Sequence, residues 1–250
     1  MKKLITLLCL IFITQLLPAQ SLFKMPTGAH SRVSSLENLH GVKGQGGKSN
    51  SGAKGSAFTT LKAGESKTLL DISQAGIIQR MWLTINDRSP IMLRSLRLKI
   101  YWDQASTPAV DVPLGDFFGF GVGKMTAFQS VLFSSPEGRS FNCYIPMPFA
   151  KGAKVVLTNG SAKNLDLLFF DIDFITLDKP DKKSLYFHSL WRKSADTTLG
   201  KDVDLLPRIS GRGRFLGVKG RPQSLRITRL YQRVEISNRY VDFGNKRVVC

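Results

Sequence analysis

From residue 70 onward, apolar and polar positions alternate with period two, which is the pattern of strands lying half buried on a core. Leu96, Leu98, Ile100 and Trp102 alternate with Arg97, Lys99 and Tyr101, predicting one such strand. Residues 165–177 give the clearest case: Leu168, Phe170, Ile172 and Phe174 point one way while Asp171 and Asp173 point the other. Ile78, Trp82 and Thr84 alternate against Ile77, Met81, Leu83 and Ile85, predicting a strand with two fairly apolar faces. Shorter strands are expected at 109–114, from Val155 to the Asn159-Gly160 turn pair, and at 185–191.

No stretch of ten or more residues carries a helical face. An α/β sheet is thereby excluded, because parallel crossovers need helices. Short strands separated by Gly and Pro turns predict an all-β fold, a β-sandwich of jelly-roll type. The 250 residues suffice for one large β domain or two modest ones, and 16 Phe are ample core material. The formal charge of +18 opens the question of polyanion contact without establishing it.

Residues 1–19 have the form of a secretory signal peptide: Lys2 and Lys3, an apolar run from Leu4 to Leu17, then Pro18-Ala19 before a cleavage point. The expected location is the periplasm or outside the cell, with no transmembrane segment, the apolar run being shorter than a bilayer span. Cys9 would leave with the signal. Cys143 in an apolar run and Cys250 at the last position read as a buried thiol and a terminal thiol rather than a disulfide. No Cys or His spacing indicates a metal, and no cofactor is expected.

Residues 20–69 form a Gly/Ser/Lys-rich segment read as a loop. Within it Gly47-Lys48-Ser49 approaches a phosphate loop, but the first glycine should stand at position 42, which is Val42. A nucleotide site is rejected. Basic side chains Arg94, Arg97 and Lys99 read as solvated, and Gly211-Arg212-Gly213-Arg214 is similar to a basic nucleic-acid patch, but an exported protein meets little nucleic acid and no such partner is expected.

The strings GIIQRMWLTINDRSP (76–90), LRLKIYWDQASTPAVDVPLGDFFG (96–119), SPEGRSFNCYIPMPFAKGAKVVLTN (135–159) and LYFHSLWRK (185–193) closely resemble glycoside hydrolase family 172, formerly domain of unknown function 2961. The resemblance covers roughly residues 31–220. It implies tandem jelly-roll sandwiches in trimers or larger homo-oligomers. It also implies metal-free, retaining cleavage of α-furanosides, fructofuranosyl or arabinofuranosyl, in oligosaccharides or polysaccharides.

On that footing, residues 70–178 are the core of a first sandwich and 185–220 begin a second. The family continues after GRGRFLG into Trp-Trp-Gly-Glu-Gly-Glu and Gly-Thr-Glu-Asp-Tyr motifs that carry its catalytic glutamates. Here GRGRFLGVKG (211–220) is followed by an atypical basic stretch, 221–250, containing neither. The expectation is a frameshifted or truncated second sandwich, incomplete and catalytically inactive, with no catalytic residue to assign.

Retaining glycosidases need two carboxylates about 5–5.5 Å apart. The glutamates are Glu37, Glu65, Glu137 and Glu235, and each reads as a surface carboxylate. Asp171 and Asp173 share a strand face at about 6.5–7 Å and read as the solvated side of that strand. Asp116, between aromatic and glycine residues in Pro113-Leu114-Gly115-Asp116-Phe117-Phe118-Gly119, is the best candidate for sugar contact, and the family resemblance places it at the floor or rim of the pocket. Asn142, His188 and Trp191 are second-rank substrate-binding candidates. A non-catalytic carbohydrate-binding or oligomer-forming sandwich is the alternative reading.

Overall fold

The computed structural model describes residues 27–48, 50–53, 55–121, 123–192, 213–217 and 248–249. The expected signal peptide and most of 193–250, including Cys250 and Glu235, lie outside the described residues. The chain is an all-β sandwich. Its larger sheet has eight strands, ordered β1 (Ala29–Ser35), β12 (Leu165–Leu177), β4 (Gly76–Ile85), β9 (Ser140–Cys143), β8 (Phe133–Ser135) and β7 (Phe128–Gln129). β10 (Met147–Phe149) also pairs with β4, and β2 (Thr59–Leu61) with β12. The smaller sheet runs β3 (Ser66–Ile72), β11 (Ala153–Asn159), β5 (Leu96–Trp102) and β6 (Val110–Pro113). Tyr186–Phe187 (β13), Gly213–Arg214 (β14) and Val248–Val249 (β15) pair in a small third sheet.

Alternation makes the core. The apolar sides of β5, with Leu96, Leu98 and Ile100, and of β12, with Leu168, Ile172 and Phe174, are almost fully buried. They meet in one continuous cluster. Burying each such side chain contributes roughly 1.5–3 kcal/mol.

In β4 the expected parity fails. Asp173 pairs with Arg80 but Phe174 pairs with Ile78, so Gln79 has no partner on β12 and forms a bulge. The extra residue turns Ile78 inward with Met81, Leu83 and Ile85, and leaves Ile77 half exposed beside the outward Arg80, Trp82 and Thr84.

The segment expected to be loop up to residue 69 contains β1, β2 and most of β3. β1 lacks an apolar alternation, since its buried position is Ser34. That hydroxyl donates to the carbonyls of Leu69 (2.7 Å) and Leu39 (3.0 Å). A bulge in β3 explains the need. Val155 and Val156 pair with Leu70 and Thr68, so Leu69 falls out of register and both leucines are buried. The loop after β1 crosses the ring of Phe174 at Gly41, where φ is +58° and a Cβ would collide with that ring.

Two short helices interrupt the strands. α1 (Pro90–Ser95) starts where Ser89 Oγ accepts from Met92 N (3.2 Å) and Pro90 occupies the first turn. α2 (Leu114–Phe117) follows β6 directly, so the strand expected over 109–114 stops at Pro113. The two helices touch where Gly115 leaves no Cβ; one built there would lie 3.0 Å from Leu93 Cβ.

Two polar residues fix the corners. Asn159 is fully buried; its amide donates to Leu61 O (3.1 Å) and Lys163 O (2.8 Å), and its oxygen accepts from Ser161 N (3.0 Å). Asp103, at φ +54°, accepts from three successive backbone amides, those of Ala150 (2.9 Å), Lys151 (2.7 Å) and Gly152 (3.3 Å). Its other oxygen accepts the Tyr186 hydroxyl. Hydrogen bonds to a charged acceptor contribute about 1.5–3 kcal/mol. Asp103→Asn keeps a residue that tolerates positive φ while removing the charge. It is expected to lower unfolding free energy by about 1.5–3 kcal/mol, read from the urea midpoint. An unchanged midpoint would show that geometry alone holds this corner.

Candidate functional site

The sequence candidates separate into two places. The first is built around α2. Phe117 and Phe118 stack edge-on at 4.9 Å and enter an aromatic cluster with Phe133, Phe141 and Phe187. With those rings inward, the intervening geometry turns Asp116 outward. Its side chain is 21% exposed and both oxygens have partners: Oδ2 pairs with Arg94 Nε (2.9 Å) and Oδ1 accepts from Trp191 Nε1 (3.0 Å). Arg94 also donates to Gly121 O (2.8 Å). The Trp191 ring lies against Arg97 (5.2 Å to the centroid) and Arg94 (5.8 Å), and Arg97 bonds Asp111 through its side chain (2.7 Å) and carbonyl (2.9 Å). Arg94 and Arg97, expected to be solvated, are therefore engaged in ion pairs and cation–π contacts.

Three side-chain bonds fasten residues 186–191 to the sandwich. Trp102 Nε1 donates to Phe187 O (2.7 Å), Tyr186 reaches Asp103, and Trp191 reaches Asp116. Ser189 N also donates to Ala109 O (3.1 Å) beside a parallel bridge to Val110. The strand expected over 185–191 is thus reduced to Tyr186–Phe187, with the rest strapped along the edge of β6. His188 is half buried in this strap, between the buried Phe187 and Ser189. Asp116, His188 and Trp191 consequently share one region.

Asn142 lies elsewhere, on the outward side of the eight-stranded sheet. Trp82 pairs with Asp171 on one side and Asn142 on the other. Asn142 is 6% exposed, and its amide donates to Ser140 Oγ (3.1 Å) and Ser134 O (3.3 Å). Arg80 donates to Asp173 Oδ2 (3.0 Å) and its second nitrogen is 3.5 Å from Asn142 Oδ1. Two residues beyond Asn142 on the same side, Tyr144 is 38% exposed and shares a hydrogen bond with Ser134 Oγ (3.2 Å). Trp82, Arg80 and Tyr144 were not singled out by sequence; the period-two pattern placed Trp82 on a strand but could not say what stood beside it.

The described glutamates all hold backbone or turns. Glu37 accepts from the amides of Gly55 and Ser56, the latter at 2.9 Å, and fastens the glycine-rich loop. Glu65 accepts from Lys62 N (2.8 Å). Glu137 is held below the usual carboxylate range, chiefly by the Ser140 hydroxyl, so it is ionised at neutral pH and unsuited to donate a proton. Cys143 is a buried thiol. Among the described residues no group of three or more His, Cys, Asp or Glu could hold a metal ion, and no helix is long and apolar enough to cross a membrane.

Residues 53–171 match the family model described as GH172 domain-like. This part of the chain is similar to the GH172 domain. The matched stretch runs from the glycine-rich loop to the centre of β12 and contains Asp116, Trp82, Arg80 and Asn142; Asp173, His188 and Trp191 fall just beyond it. No curated protein matches the chain. The match points to a glycoside hydrolase-family protein, and a carbohydrate is the class of ligand that this similarity suggests.

The strap contacts make a prediction. Trp191→Ala should increase tryptic cleavage after the exposed Lys182 and Lys183 severalfold, while the sandwich itself remains resistant and melts within a few degrees of the parent. Equal cleavage of the two proteins would show that Trp191 does not fasten the strap.

Proposed function

We propose that the chain is part of an exported glycoside hydrolase for α-furanosides, fructofuranosyl or arabinofuranosyl, and that these 250 residues alone engage the sugar without cleaving it. The GH172 match over residues 53–171 carries this reading. Export to the periplasm or beyond rests on the signal-like 1–19, and assembly into trimers or multiples on the family resemblance. Furanoside cleavage with retention needs a nucleophile and an acid/base carboxylate facing one bond. Glu37, Glu65 and Glu137 are instead engaged with main-chain amides or Ser140. Asp116 and Asp173 are each paired with an arginine. On this reading the domain supplies a frame and sugar contacts, and the catalytic carboxylates are those of the two glutamate motifs, which the sequence does not contain.

A non-catalytic, carbohydrate-binding sandwich is the second reading, favoured by the aromatic and polar side chains on the outward face of the eight-stranded sheet. Both readings require sugar binding; only turnover separates them from a working enzyme. Purified protein should release no product from an aryl α-arabinofuranoside or a difructose, yet be retarded on immobilised arabinan or fructan. Measurable release would overturn the inactive assignment. Free passage over every furanose and pyranose polymer would overturn the carbohydrate reading itself.

A further inference from the structure

The outward face of the eight-stranded sheet carries a combination that neither a purely structural sheet face nor an apolar docking patch requires. At its centre Trp82 is only partly covered, with Asn142 next to it across β9. One step along the strands, Arg80 reaches Asp173, and the two side chains remain 37% and 41% exposed. Tyr144 stands two residues from Asn142 on the same side. Two aromatic rings thus share this face with a guanidinium, an amide and two carboxylates, Asp173 paired with Arg80 and Asp171 beside Trp82. A face with two carboxylates to one guanidinium does not select a polyanion, which argues against phosphate or nucleic acid here despite the chain's overall +18. Small-ligand sites join apolar surface to a few fixed polar groups, and a sugar presents the matching pair of features: a face of C–H groups and a rim of neighbouring hydroxyls.

We propose that this face is a sugar-contact site, with the ring of one sugar unit against Trp82 and Tyr144 and its hydroxyls on Asp173 and Arg80. Asn142 is nearly buried and acts as a positioning residue: its amide is held by Ser140 and Ser134 while its oxygen steadies the Arg80 guanidinium. The ligand is a neutral sugar unit with adjacent hydroxyls. This rests on the carbohydrate reading of the domain and goes beyond it by moving the contact away from Asp116 and Trp191, whose hydrogen-bonding groups already hold the strap.

The test is titration of the full chain with arabinotriose and with a difructose, followed by intrinsic fluorescence and isothermal calorimetry. Parent, Trp82→Ala, Trp82→Phe, Asp173→Asn and Asp116→Asn proteins are compared, with thermal melts confirming that each variant is folded. Expected are a loss of affinity of about tenfold or more in Trp82→Ala and Asp173→Asn, partial retention in Trp82→Phe, and unchanged affinity in Asp116→Asn. A parent that binds neither sugar overturns the carbohydrate reading and this site with it. A parent that binds while Trp82→Ala and Asp173→Asn bind equally well overturns the site alone. Altered oligomeric state in Trp82→Ala with unaltered sugar affinity also overturns it, and reassigns the face to contact between copies of the chain.

Discussion

The pairing of β4 with β12 is the contact on which the larger sheet depends. β12 carries β1 on its other side, and β4 carries β9 and β10, so the sheet cannot form without this central ladder. Its inward positions bury Leu168, Phe170, Ile172 and Phe174 against Met81, Leu83 and Ile85. The bulge at Gln79 lets Ile78 join that inward set without moving Trp82 off the outer side. One unpaired residue thereby reconciles a continuous core with an aromatic and a charged side chain displayed together. A strictly regular strand would have kept Ile78 on the outer side with Trp82, as period two alone requires.

Polar residues do the joining where hydrophobic burial has no direction. Asn159 closes the corner between β11 and β12, Ser34 ties the edge strand of one sheet to the bulged edge of the other, and Asp103 gathers three amides and a tyrosine. Ser34 and Asn159 meet buried acceptors that would otherwise cost about 1–3 kcal/mol apiece, while the amides gathered by Asp103 are part-buried or exposed. Asp116 belongs with these residues. In the sequence its setting between glycines and phenylalanines suggested a sugar pocket; in the fold those phenylalanines are core, and the carboxylate faces Arg94 and Trp191.

What was legible in the sequence follows from what period two can encode. β5 and β12 have clean apolar alternation, and the one bulge in the β4–β12 ladder lies on β4, so their inward faces stand as the pattern indicates. β4 is legible as a strand, but its pattern puts Ile78 on the wrong side, since a bulge leaves no mark in hydropathy. β1, β8 and β9 were not found, because Ser34, Ser134, Ser135, Ser140 and Asn142 are buried at strand positions where an apolar residue would have been the signal. Both clusters are products of distance along the chain. Asp116 and Trp191 meet across 75 residues, and Arg80 and Asp173 across 93. No local spacing could have announced either pair, although the motif strings did locate the segments that supply most of their members.

The ladder between β1 and β12 has a kinetic meaning. Ala29 pairs with Leu177, and Ser35 with Asp171, so the first strand of the sandwich is completed by the last. During synthesis β1 must wait, unpaired on that edge, until nearly the whole sandwich has emerged. Closure of so long a loop before any reward makes this sheet a slow folder by topology. In that interval Ser31, Arg32 and the other polar side chains of β1 protect it from premature pairing with other chains. The absence of apolar alternation that hid this strand from pattern reading is thus what lets it remain soluble until its partner arrives.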